Sequence, residues 1–200
     1  MNKKKVLVIV AHPDDETIWM GGMLIRNKDK WDVTIISLCR KDDKDRSPKF
    51  FRVCETLNAR GFMSDLDDEK LTPVDLSDII KRIEKFADKE YDYIFTHGEN
   101  GEYGHLRHIE VNRAVRRMLN KGSLKYKKTF FFNYMKKSAP NTDTGFDCYM
   151  QENADKFISL NKIEMLKKKE IIKMIYGFHE GGFEERNCRD KEGFETLWKL

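Results

Sequence analysis

Two short segments of this 200-residue chain carry side chains that could do chemistry, AHPDDE at Ala11–Glu16 and GENGEYGHLRH at Gly98–His108. The first holds His12 and Asp15 within one turn of each other, and the second spaces His105 and His108 at i, i+3. A catalytic zinc takes three protein ligands from imidazole and carboxylate and leaves a fourth position for water. His12, Asp15 and His108 supply that number and those types. Asp14 is then a carboxylate beside the ion with no ligand duty, free to take a proton from water whose pKa zinc lowers to about 7. Each half also has a plainer reading. Pro13 followed by acids is a good helix start, and one H-x-x-H is a weak signal. His97 reads as a hydrogen-bonded structural histidine, and Gly21–Gly22 as close helix–sheet packing. No G-x-G-x-x-G follows the first strand, and neither a Walker-type loop nor a G-x-S-x-G elbow occurs.

For the two segments to act together they must meet, and the hydrophobic pattern supplies a way. Lys5–Ala11 is a continuous β-branched run, as in a strand buried on both faces of a parallel sheet. Strands are also predicted at Asp32–Leu38, Gly61–Leu66 (weak), Tyr91–His97, Thr129–Met135 and near Phe157–Leu160. Helices are predicted over Thr17–Asn27, Pro48–Ala59, Leu76–Lys89, Leu106–Leu119 and Lys162–Ile175. Ile163, Leu166, Ile171 and Ile175 of that last helix are expected to pack on the sheet. The tail after Gly177 has no assignable pattern. Alternation of strands and helices implies an α/β fold, a Rossmann-like doubly wound sheet, mostly parallel, with helices on both faces. With strand order 3-2-1-4-5, the switch point lies between the first and fourth strands, where ligands bind in open α/β sheets. The first strand ends at AHPDDE and the fourth at His97, so two remote segments rich in metal-ligand types converge on one crevice.

Length fits a single domain over residues 1–200. Lys and Arg total 38 against 34 acids, a net +4 that gives no reason to expect nucleic acid as a partner. The four cysteines form no C-x-x-C pair and suit reduced thiols in a cytoplasmic protein. No stretch approaches the roughly 20 apolar residues of a membrane span. A homo-oligomer is compatible with everything in the sequence.

AHPDDE after strand one, then Gly21–Gly22, and THGENGEYGHLRH after strand four resemble the PIG-L/LmbE-like zinc-dependent N-acetylglucosamine de-N-acetylases. The resemblance implies a hydrolase that removes an N-acetyl group from a small-molecule amino sugar or its conjugate, with one Zn2+ per site. It implies His12, Asp15 and His108 as zinc ligands and Asp14 as the general base that later passes its proton towards the leaving amine. His105 would steady the oxyanion, helped by Tyr103. Arg52, in RVCE, resembles the Arg-x-x-Glu arginine that faces substrate, its plainer reading being a surface salt bridge. One departure stands out: the family commonly has an acid immediately before the second histidine, where this chain has Arg107. If that acid orients the first histidine, His105 lacks its partner and Arg107→Asp would restore it.

Two other classes stay open. A metal-dependent phosphoesterase also uses clustered Asp and His, though such sites usually hold two metals and need more bridging carboxylates than are found here. A non-catalytic zinc- or sugar-binding module could keep the fold without the chemistry. Recognition of the group attached to the sugar is expected in Arg40–Ser47 and Lys136–Asp155.

Overall fold

The computed structural model of the chain describes residues 3–198. Strand β1 (Lys4–Val10) lies between β2 (Trp31–Cys39) and β4 (Glu90–Thr96), parallel to both. Strand β3 (Ala59–Leu66) adds parallel outside β2, and β5 (Lys125–Phe132) parallel outside β4, giving the expected 3-2-1-4-5 order. The apolar run predicted for β1 is explained by its packing: Val6 through Ala11 are fully buried. Val6, Val8 and Val10 enter one core and Leu7, Ile9 and Ala11 the other, so both faces of the strand are covered. Each of the valine, leucine and isoleucine side chains contributes roughly 1.5–3 kcal/mol by leaving water. One core is closed by α1 (Asp15–Asn27) and α2 (Arg46–Thr56), through Ile18, Trp19, Leu24, Phe50 and Val53. The other is closed by α3 (Leu76–Glu84) and α5 (Leu106–Lys121), which follows a four-residue turn α4 (Gly101–Gly104).

Several elements differ from the sequence expectation. The predicted helix Pro48–Ala59 begins earlier and stops at Thr56, because Ala59 already pairs with Val33. The run Thr129–Met135 is two strands. β5 ends at Phe132, and β6 (Tyr134–Ser138) pairs with β7 (Phe146–Met150) in a separate ribbon. Asn133 makes the break, its N–H going to Gly193 O and its carbonyl accepting from Gln151 N. The unassigned tail contains a short helix α7 (Phe183–Asn187) and β9 (Lys191–Trp198), which inserts antiparallel between β5 and the edge strand β8 (Lys156–Ser159).

The helix over Lys162–Ile175 is α6 (Lys162–Glu170), continued by a π-helical segment, Ile171–Tyr176. Ile163 and Leu166 do not pack on the sheet and are well exposed, while Ile171 is buried. The α6 residue that turns inward is Lys168, fully buried with Nζ 2.7 Å from Glu192 Oε1. Glu192 also accepts from Gly22 N and Met23 N, so this ion pair ties α1, α6 and β9 together. Gly21 and Gly22 do mark close packing, but against Lys168 and Leu160 rather than the sheet.

Candidate metal centre and active site

The segments that follow β1 and β4 meet above the sheet, as the switch-point argument requires. His12 Nδ1 lies 3.2 Å from Asp15 Oδ2 and 3.1 Å from His108 Nε2, and His108 Nε2 lies 3.4 Å from the same carboxylate oxygen. Two atoms bound to one tetrahedral zinc stand about 3.3 Å apart, given bond lengths of about 2.0–2.1 Å, so the triangle has the right size. Its protonation also fits. His12 Nε2 lies 2.9 Å from Asp68 Oδ1 and His108 Nδ1 lies 2.5 Å from Glu102 Oε2. Donating those N–H groups outward leaves a lone pair on each inward-facing nitrogen, the tautomer a metal ligand needs. Asp15 is fixed on both oxygens, by the backbone N–H of His12 at 2.8 Å and the Trp19 indole N–H at 2.9 Å. Burial opposes charge on His12, yet Asp15 and Asp68 on either side carry its pKa up to about 10.

Glu102 is the anchor of the second segment. Its Oε2 accepts from both His97 Nδ1 (2.9 Å) and His108 Nδ1, and its Oε1 from Gly98 N (2.7 Å). Burial alone would raise its pKa, but the two imidazoles hold it down to about 2. The turn that delivers it is demanding. Glu102 sits at φ 59°, and a Cβ on Gly98 would stand 2.2 Å from Phe132 O. His97 is the structural brace expected from the sequence, since its Nε2 accepts the Ala11 N–H at 2.9 Å and is therefore spent.

Asp14 takes a different path from Asp15. Its φ of 117° is strained for a non-glycine residue, and its side chain makes no helix-capping bond. The plainer reading of PDDE, acids at a helix start, holds for Asp15 and Glu16 in the first turn of α1 but gives the Asp14 side chain no role. Asp14 Oδ2 instead pairs with Arg46 Nη1 at 2.7 Å, and its N–H is held by the buried Glu16, which in turn accepts from the Tyr176 hydroxyl. Burial and the adjacent Asp15 push the Asp14 pKa well above its ordinary value, while Arg46 opposes the shift.

His12, Asp14, Asp15 and Arg46 line one cleft of about 320 Å³, together with Trp19, Arg40, Asp43, Asp68, Tyr103 and His105. Tyr103 packs between His108 and the aromatic rings of Phe146 and Phe183. His105 Nδ1 is buried with no hydrogen-bond partner, and burial together with His108 and His12 lowers its pKa to about 4.

Of the residues anticipated from sequence, His12, Asp14, Asp15, Tyr103, His105 and His108 come together and Arg52 does not. Arg52 is exposed and outside the cleft lining, whereas Arg46, earlier on α2, reaches Asp14. Arg107 does not face His105. Its buried guanidinium is turned to Asp67, Thr72 and Glu110, so an acid placed there would face other acids instead of supplying His105 with a partner. The sequence reading also missed Glu102, Asp68 and, from the tail, Phe183 and Glu184; Arg46 falls within Arg40–Ser47, expected to recognise the attached group, but its pairing with Asp14 was not anticipated. The one signal for Asp68 was its place just past the end of β3, on the same side of the sheet as the two motifs, and the neighbouring acids Asp65, Asp67 and Glu69 masked it.

Comparison with known proteins adds the family. The family model described as PIG-L, GlcNAc-PI de-N-acetylase, matches residues 7–119, more than half of the chain. An uncharacterized protein, L374, of Acanthamoeba polyphaga mimivirus is 28% identical over 128 residues, 56% of this chain. That match spans only 57% of the viral protein. The fold is shared with the N,N'-diacetylchitobiose deacetylase of Pyrococcus horikoshii (TM-score 0.65, 16% identity, 98% of this chain and 84% of that one). It is shared equally with GalB, the 4-carboxy-2-hydroxymuconate hydratase of Pseudomonas putida (TM-score 0.64, 12% identity, 98% and 97%). The conserved protein TT1542 of Thermus thermophilus is also similar (TM-score 0.61, 15% identity, 86% and 78%).

Proposed function

This chain is a member of the PIG-L family, and on that premise we propose that it is a zinc-dependent hydrolase that removes the N-acetyl group from an N-acetylglucosamine-type amino sugar or its conjugate. The observation that carries the reading is the triangle of His12 Nδ1, Asp15 Oδ2 and His108 Nε2, with both imidazoles braced from behind by Asp68 and Glu102. Fold alone could not carry it, because a deacetylase and a hydratase share this architecture.

His12, Asp15 and His108 would hold the ion. When bound, zinc supplies Lewis acidity towards an amide carbonyl and lowers the pKa of water beside it. Asp14 then takes the proton as the water oxygen bonds to the carbonyl carbon. Burial and the neighbouring Asp15 raise its pKa, which makes it a stronger base than an ordinary carboxylate. Arg46 holds Oδ2 and so fixes the direction in which the carboxylate works. As the C–N bond breaks, the proton held on Asp14 passes to the amine nitrogen, and acetate and free amine result. With its pKa near 4, His105 works as a neutral hydrogen-bond donor towards the carbonyl oxygen, not as an imidazolium. Trp19 and Tyr103 form the apolar wall, and Arg40, Asp43 and Arg46 the polar rim, for the sugar and its attached group. The four cysteines are free and buried, which suits the cytoplasm. Among the described residues no helix is long and apolar enough to cross a membrane.

The test is amine release from a panel of N-acetylated sugars by chelator-treated protein, with and without added zinc. Turnover restored by one equivalent supports the reading. Two tightly held metals would favour a phosphoesterase. Tight zinc with no amine released from any sugar would favour a binding module.

A further inference from the structure

Arg107 is fully buried and belongs to the same helical turn that presents His108 to His12 and Asp15. Neighbouring positions on a helix face different directions, and Arg107 faces the segment 67–75, which links β3 to α3 without regular structure. Its Nε donates to Asp67 O, its Nη1 to Thr72 O at 2.9 Å and to Glu110 Oε2 at 2.5 Å, and its Nη2 to Asp67 Oδ2 at 3.4 Å. Glu110, one turn further along α5, accepts the Val74 N–H at 2.8 Å. Two side chains of α5 thus clasp both ends of this segment. At its start is Asp68, whose carboxylate reaches His12 Nε2 at 2.9 Å and Arg40 Nη2 at 2.8 Å.

We propose that Arg107 is a positioning residue for the metal centre, fixing the 67–74 segment so that Asp68 stays on the distal nitrogen of His12. The inference rests on the proposed metal-ligand role of His12. Both ligand histidines are then aligned from one helical region: His108 through Glu102 beside it, and His12 through Arg107, the segment and Asp68. A lysine could not replace the arginine in this task. One ammonium on a flexible stem cannot serve Asp67, Thr72 and Glu110 in fixed directions, whereas a planar guanidinium does.

The test compares the parent with Arg107→Lys, Asp68→Asn and the double variant, using Arg107→Lys because it keeps a cation opposite the buried Glu110. Three readouts are taken: zinc affinity by chelator competition, amide exchange over 67–74, and the His12 imidazole N–H resonance in the metal-free protein. Each single variant is expected to lose about 10- to 100-fold in zinc affinity. The double variant should lose no more than Asp68→Asn alone, since the two act in series. Arg107→Lys should speed exchange over 67–74, and both single variants should lose the protected His12 N–H. Should Arg107→Lys fail to fold, Glu110→Gln loosens the Val74 end of the clasp and is expected to shift the same three readouts in the same direction. Parent-like zinc affinity and a parent-like His12 N–H in Arg107→Lys, or full additivity in the double variant, would overturn the inference. A parent that binds no zinc would instead contradict the proposed function, and the His12 N–H would still decide the role of Arg107.

Discussion

Replacing Glu102 by Gln tests the anchoring logic in numbers. The carboxylate accepts from Gly98 N, His97 Nδ1 and His108 Nδ1 in a fully buried setting. A glutamine offers one oxygen and one NH2, so at least one of these donors must face another donor. The loss is one charge-assisted hydrogen bond (about 1.5–3 kcal/mol) plus an orphaned buried donor (about 1–3 kcal/mol), or about 2.5–6 kcal/mol in all. If His108 escapes by switching tautomer, its Nε2 carries the proton and loses the lone pair a metal needs. Zinc affinity should therefore fall as well, by about 10- to 100-fold. The pH dependence has a definite sign. Glu102 is held at about 2 against an ordinary 4.5, so its contribution is fully present above pH 4.5 and is lost as pH falls towards 2. For metal-free protein taken from pH 7 to pH 3, about 2 kcal/mol of the parent's stability disappears through this group, and none does in Glu102→Gln. Urea unfolding of both proteins at the two pH values measures this, the gap narrowing in acid by that amount. A gap below about 1 kcal/mol at pH 7, or one that stays constant down to pH 3, would refute the reasoning.

Two further outcomes follow from side-chain placement. Arg46→Met removes the partner of Asp14 and should lower kcat/KM by about 10- to 100-fold with zinc content unchanged. Arg52→Met should stay within about twofold, as expected of an exposed side chain; steady-state kinetics with parallel metal analysis separates the two. Lys168→Met strands Glu192 as an unpaired buried charge and should cost about 3–5 kcal/mol in urea unfolding, leaving the slope m unchanged.

What the sequence made legible was local or followed from strand order. A strand buried on both faces reads as an unbroken apolar run, and the order 3-2-1-4-5 places the ends of β1 and β4 side by side. His12, Asp15 and His108 could therefore be grouped from sequence alone. What stayed hidden depended on direction. Arg46 and Arg52 lie on one helix, but six residues at 100° each put them on different faces, and only the docking of α2 decides which faces the cleft. Arg107 sits beside His108 in sequence and points elsewhere. Asp68 lies in the acidic run Asp65–Glu69, which reads as a solvated turn until its contact with His12, 56 residues away, is seen. β9 gave no clear pattern because its second residue, Glu192, is polar yet fully buried, matched by a lysine from a distant helix. The break at Asn133 was hidden inside an aromatic run whose two halves join different sheets.

The central claim is that adjacent carboxylates divide the work, Asp15 as ligand and Asp14 as base, and it is tested most directly by measuring zinc content and turnover of Asp14→Asn beside Asp15→Asn. Asparagine is nearly isosteric with aspartate, so packing should largely survive each change. Asp14→Asn is expected to keep one zinc and to slow amine release by about 100- to 10,000-fold, the usual worth of a general base. Asp15→Asn is expected to bind zinc weakly and to regain rate only when zinc is in excess. Loss of the metal from Asp14→Asn and its retention by Asp15→Asn would reverse the assignment. Full zinc and full rate in both variants would contradict the account.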